Sequence, residues 1–252
     1  MAKVSDSIDI VQFKSLDVEA PNILIGLPDV GLVGEIAVSY VIEKMKMEEL
    51  GYIDSQKFPP LVIIKESVIK NPIRIYGKGN ILAIISDLPF PPSIMNAFFK
   101  SLLTWIENLN ANTVIGITGF PAYDRMQINK PGVSAIATTA KARDLLDQAG
   151  VRLLSDGIFS GIYAGLIKEC NIQNVSNITL FAESYLNFPD PAAAVEVLNV
   201  VSRVLNISID LKQLEEEAER IKISMRELML LTEKALEESQ KLHEGKTEAM
   251  YR

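Results

Sequence analysis

The sequence predicts an α/β protein: a three-layer α/β/α sandwich with a long helical extension toward its C-terminal side. Three observations point there. Short β-rich runs alternate with stretches of helical periodicity over the first two-thirds of the chain. Prolines stand where helices should start, as Pro92 and Pro191 do, since a first-turn residue has no intrahelical partner for its N–H. After Asp210 the composition changes, and residues 211–243 contain no Gly or Pro. A chain of 252 residues suffices for one large α/β domain with an appendage.

Taken in order, strands are expected at Ile8 to Phe13 and Asn22 to Ile25, then a helix from Gly31 to Met45. Strands follow at Leu61 to Glu66, Ile73 to Tyr76 and Asn80 to Ser86, and a helix at Pro92 to Leu109. The strand Thr113 to Thr118 precedes Val133 to Ala137, the helix Thr139 to Ala149 and the helix Gly161 to Cys170. Strand Asn177 to Ala182 and helix Pro191 to Asn206 close a body expected to span residues 1–208. Connections such as Pro89 to Pro92 and Gly119 to Pro121 then fall past the carboxyl ends of strands, where an open α/β sheet places its ligand crevice.

The segment 209–243 reads as a helix capped by Asp210 and stopped by Gly245, on the order of 50 Å long. Its apolar positions Leu211, Leu214, Ala218, Ile221, Met225 and Leu228 alternate three and four apart, the spacing of a coiled-coil seam. The same stripe would serve a terminal helix packed on its own domain. Met229 to Leu231 widen the apolar face beyond one stripe and suggest more than one packing partner. The residues expected to carry oligomerisation are Leu214, Ala218, Ile221, Met225 and Leu228.

Composition excludes several functions. With 25 Lys and Arg against 32 Asp and Glu, the formal charge of −7 offers little to a phosphate backbone, so no nucleic-acid partner is expected. A single cysteine, Cys170, forbids an intramolecular disulfide, and a single histidine, His243, removes multi-His metal sites, so no metal and no cofactor are expected. No run approaches a membrane span, and residues 1 to 20 show no apolar leader core, so the expectation is a soluble cytoplasmic protein with no membrane partner.

Most motif-like runs have structural readings. Gly26-Leu27-Pro28-Asp29-Val30-Gly31-Leu32-Val33-Gly34 follows a strand and opens a helix, yet its glycine spacing misses GxGxxG, leaving tight turning and close helix-to-sheet packing. Gly245-Lys246-Thr247 lacks the leading glycine of a Walker A loop, because Gln240 stands there. Gly157-Ile158-Phe159-Ser160-Gly161 places its serine one position late for a nucleophile elbow, and Gly161 and Gly165 read as a close helix contact. Asp29, Asp87, Asp124 and Glu183 lie near strand ends, and Arg125 with Tyr123 offers an anion contact. These would furnish the alternative reading, a phosphorylase- or hydrolase-like enzyme.

The chain closes on Met250-Tyr251-Arg252 in an otherwise polar stretch, 244–252, read as a flexible tail. A methionine and a tyrosine there have no obvious core to join and suit a pocket on another protein. Several tails gathered by an oligomer would convert weak single contacts into avidity.

Together the runs GLPDVGLVGEIAVSYVIEKM, DLPFPPSIMNAFFKSLLTWIE, TGFPAYDR, GIFSGIYAGLIKECNI and FAESYLNFPDPAAAVEVLNVVSRVL resemble the proteasome assembly chaperone family, in particular archaeal homologues of its second member. The resemblance covers about residues 8 to 235. It implies a Rossmann-like sandwich similar to nucleoside phosphorylases without an established catalytic site, and homo-oligomers, with a tetramer favoured over a pentamer. It also implies tails with a hydrophobic-Tyr-X ending that dock between α subunits of the 20S proteasome core particle, a role that falls here on Met250, Tyr251 and Arg252. Such endings occur on proteasomal ATPases too, but without a Walker A loop any activation should be independent of ATP.

Overall fold

A computed structural model describes residues 8–14, 19–58, 62–65, 67–224, 226 and 228–234. Strands β1 (Asp9–Gln12) and β2 (Asn22–Gly26) lead into helix α1 (Val33–Met45). Strands β3 (Glu48–Asp54), β4 (Ile63–Lys65), β5 (Val68–Lys70), β6 (Ile73–Lys78) and β7 (Ile81–Ser86) precede α2 (Met95–Asn108). Then come β8 (Thr113–Pro121), β9 (Val133–Ala137), α3 (Ala140–Gln148), β10 (Arg152–Leu153) and α4 (Ile162–Gln173). Strand β11 (Asn177–Ser184) and helix α5 (Pro191–Leu205) complete the body, followed by the short α6 (Lys212–Glu216) and α7 (Ala218–Ser224).

Nine strands form one mixed sheet in the order β1-β3-β6-β7-β2-β8-β11-β9-β10. Its centre, β7-β2-β8-β11, is parallel, while β6 and β9 flank it antiparallel. Central strands buried on both faces read as apolar runs, and their alternation divides the core. Leu24, Ile115, Ile117, Ile178 and Leu180 face one layer with α1, α3 and α5. Ile23, Ile25, Leu82, Ile84 and Val114 face the other with α2 and α4. The protein is thus the expected three-layer α/β/α sandwich.

The glycine run after β2 is a packing device. A Cβ on Gly26 would lie 2.4 Å from the Gly34 carbonyl oxygen, and one on Gly34 would lie 2.1 Å from that of Ile117. Helix α1 therefore lies on the sheet at a distance only glycine permits. Gly31 takes φ 62° in the 3-10 turn Val30–Leu32 that precedes α1, so the helix begins at Val33 rather than at Gly31. Gly165 serves the opposite layer, where a Cβ would meet the Phe99 ring at 3.1 Å between α4 and α2.

Several boundaries differ from expectation for physical reasons. Pro191 occupies the first turn of α5, but Pro92 does not start α2. Pro91 and Pro92 form a separate turn, with the Ile94 N–H on the Pro91 carbonyl, and the helix begins at Met95. Strand β3 carries Glu, Gly and Asp, poor strand formers. It forms because it lies between β1 and β6, with a bulge at Glu49/Gly51. Strands β5 and β10 were likewise not expected. The run Leu61 to Glu66 yields only β4, which pairs with β5 outside the main sheet.

The expected unbroken helix over 211–243 is interrupted at Glu217, with φ −95° and ψ 6°. The break is one residue wide, since Ile221 still donates its N–H to the Glu217 carbonyl. The N-cap position of α6 is taken by Leu211 rather than by Asp210, which stands one residue earlier and accepts the Lys212 N–H at 3.1 Å. The Tyr40 hydroxyl reaches the Asp210 carbonyl at 2.6 Å and binds the segment to α1. Residues 226 and 228–234 are also helical; the remainder of the expected helix lies outside the described residues.

Candidate functional site

Strands β8 and β11 run parallel and in register to their carboxyl ends, Pro121 opposite Ser184. Their exit loops leave side by side, and the Ala122 N–H donates to the Ser184 carbonyl at 3.0 Å. Arg125, in a 3-10 turn of the first loop, makes a paired contact to Asp190: Nε to Oδ2 at 2.6 Å and Nη2 to Oδ1 at 2.9 Å. Asp190 also caps α5 by accepting the Ala193 N–H, and its own N–H donates to the Gly31 carbonyl. The guanidinium lies 4.9 Å from the centre of the Tyr185 ring and donates to the Ile128 carbonyl. One buried ion pair thus binds two loops, the α5 N-terminus and the glycine turn. The anion contact imagined for Arg125 is filled by Asp190.

On this base stands a groove of about 910 Å³. The loops contribute Tyr123, Met126, Leu186 and Phe188, and the C-terminal helical residues Ile223, Met229 and Leu230 close the other side. Tyr123, Met126, Phe188 and Ile223 are largely exposed, whereas Met229 is buried in the core. Exposed apolar side chains gathered in one concavity mark a binding surface. On the helical side, Glu219, Ile223, Arg226, Leu230 and Glu233 recur at alternating steps of four and three, so one helical face points into the groove.

That face is distinct from the stripe expected to oligomerise. Leu214 is 1% exposed and belongs to the core of its own chain. Ile221 and Leu228 are half-buried against the same core, and Ala218 is half-buried. Met225, and the tail residues Met250, Tyr251 and Arg252, lie outside the described residues. The sequence stripe found the inward face; the widening at Met229 to Leu231 was the available signal for the groove.

The strand-end carboxylates do not converge on a reacting centre. Asp29 accepts the Thr118 hydroxyl at 2.7 Å and is buried, which raises its pKa to about 6 against the lowering effect of that hydrogen bond. Asp87 pairs with Arg74. Glu183 accepts the Gly132 N–H at 2.8 Å, and the exposed Asp124 turns its carbonyl to the Gln127 N–H. The carboxylates of Asp29, Asp87 and Glu183 thus each have a different structural partner. Among the described residues no group of three or more His, Cys, Asp or Glu could hold a metal ion, and no helix is long and apolar enough to cross a membrane.

Comparison with known proteins matches this geometry to one family. Residues 23–229 match the model of the PAC2 family. The crystal structure of Pyrococcus furiosus PbaA, an archaeal homolog of proteasome-assembly chaperone, superposes with a TM-score of 0.82 at 30% identity, covering 91% of this chain and 99% of that one. Pyrococcus furiosus PbaB, an archaeal proteasome activator, shares the fold with a TM-score of 0.74 at 22% identity, covering 89% of this chain and 99% of its own. An uncharacterized protein of Methanocaldococcus jannaschii is 25% identical over 223 residues, 88% of this chain and 91% of its own.

Proposed function

The chain belongs to the PAC2 family, and from that premise we propose that it is an ATP-independent proteasome assembly chaperone or activator rather than an enzyme. The observation that carries this reading is the likeness to PbaA, which extends over 91% of this chain at 30% identity. Against catalysis stands the dispersal of the strand-end carboxylates, of which Asp29, Asp87 and Glu183 are each committed to a separate fold contact.

In this reading residues 1–208 form a rigid body, 209–243 gather several copies and 244–252 supply the contact to the partner. A tetramer, or alternatively a pentamer, presents one tail per copy to the α ring of the 20S core particle in the cytoplasm. Met250 buries apolar area in a pocket between α subunits, Tyr251 adds a rigid amphipathic ring, and a carboxylate beyond them pairs with a lysine. Three residues bind weakly alone, and several tails on one ring add their effect. Docking assists assembly of the ring or opens its gate. Copies associate along the helical segment, where Ala218, Ile221, Met225 and Leu228 contribute whatever area α5 leaves uncovered, while Leu214 contributes through the core beneath.

Tyr251→Ala tests the mechanism. Co-migration with core particles and stimulation of peptide hydrolysis should both fall while the oligomer's mass is unchanged. Full stimulation by the variant would remove the tail from the mechanism.

A further inference from the structure

The run Gly157-Ile158-Phe159-Ser160-Gly161 misses a nucleophile elbow, and the function proposed above makes no use of it. Its surroundings give it a different chemistry. Of the 14 glycines in the chain, Gly157 alone follows an aspartate or an asparagine. The pair Asp156-Gly157 stands in the connection from β10 to α4, which is tied at one end by the Leu154 N–H on the Ala135 carbonyl at 3.0 Å. Toward the other end Phe159 rests on Phe181, with ring centres 4.9 Å apart at 83°. Between these two anchors Ser155, Asp156, Gly157 and Ile158 are all exposed. Among the described residues no hydrogen bond holds the Gly157 N–H, and a Cβ built on Gly157 would meet nothing within 4 Å.

We propose that Asp156-Gly157 is a site of spontaneous covalent modification, at which the folded protein converts aspartate to isoaspartate through a cyclic imide. In the first step the Gly157 nitrogen attacks the carboxyl carbon of Asp156. The new C–N bond closes a five-membered ring, and the carboxyl hydroxyl leaves as water with the proton of the Gly157 nitrogen. Water then opens the ring. Attack at the side-chain carbonyl restores aspartate, whereas attack at the main-chain carbonyl gives isoaspartate, whose backbone runs through the former side chain. One water is lost and one regained, so no oxidant, reductant or further reactant enters.

The loop favours each part of this step. Ring closure takes the main chain out of regular strand and helix geometry, and a glycine after the aspartate leaves the widest conformational range and no side chain in the way of attack. An N–H outside any ladder is free to approach the carboxyl group. Asp54-Ser55 shows the contrary case, again an aspartate before a small residue. Asp54 ends β3 opposite Asp9 and Ser55 is buried, so the ring would have to close inside packed structure. At position 156 the added backbone carbon enters between the Leu154 tie and the Phe159 anchor, and it loosens the chain that leads into α4.

The full-length protein, held at neutral pH and physiological temperature and sampled over weeks, tests the proposal. Trypsin releases residues 153–168 and 47–57 as separate peptides. Electron-transfer fragmentation identifies isoaspartate in each, because only isoaspartate carries its Cα–Cβ bond in the main chain. Isoaspartate should accumulate at position 156 at least about tenfold faster than at position 54, and at a rate within about tenfold of that in the synthetic peptide 153–168. Gly157→Ala, which the open space and the absence of a left-handed φ at this position accommodate, should slow it about tenfold. A rate in the folded chain more than about tenfold below that of the peptide would overturn the proposal, because the fold would then hold the loop against ring closure. Equal accumulation at the two aspartates, or equal rates with and without Gly157→Ala, would overturn it as well.

Discussion

Asp29 shows how little of a side chain's chemistry is local. It stands one residue before the 3-10 turn at Val30, yet its carboxylate is held by Thr118, 89 residues away on β8. Burial raises its pKa from 3.8 to about 6. Below the lower value both folded and unfolded chains carry the proton. As pH rises from 3.8 to about 6 the unfolded chain releases it first, so stability falls across that window and is level above it. Asp29→Asn should remove this slope in urea denaturation and stabilise the protein at neutral pH by about 3 kcal/mol at most. Asp190 holds the buried Arg125 through a paired contact. Asp190→Ala should cost about 3–5 kcal/mol at neutral pH, and Arg125→Met with Asp190→Asn should recover part of that loss. The sequence showed Asp29 near a strand end and Arg125 as an anion contact, and it did not single out Asp190. It could not show that Arg125 faces Asp190 across 65 residues, which is a property of the register between β8 and β11.

At the level of elements, central strands and long helices were legible because their periodicity is strong and their burial complete. Strand β2, buried at every position, and α5, opened by Pro191 behind Asp190, are examples. Elements formed by their neighbours were not. Strand β3 has the composition of a loop and becomes a strand through pairing on both edges, and β10 is a two-residue addition to β9. The C-terminal stripe was legible as a stripe, but whether it faced its own domain or another copy depended on where α5 lay. Leu214 shows that this stripe at least begins on its own domain. Leu214→Ala should therefore cost about 2–4 kcal/mol. The loss should be the same across a hundredfold dilution series, of the order that would expose an interface contribution by mass action. A cost that disappears in dilute protein would place Leu214 between copies instead.

The whole molecule is an α/β/α body followed by helical residues that reach, among the described residues, to Lys234. Its sheet ends and these helical residues frame a groove with exposed apolar walls. The family relation extends over residues 23–229, so it covers the body and the helical residues up to 229 but not the last residues. The account's central claim concerns those last residues, that they carry the contact to the proteasome. The direct measurement is the dissociation constant of the isolated 20S core particle for the full chain and for the chain lacking residues 250–252, at matched oligomeric state. The account predicts a loss of affinity exceeding about tenfold on removal, because every tail on the ring is lost together. Equal affinity of the two proteins would contradict it.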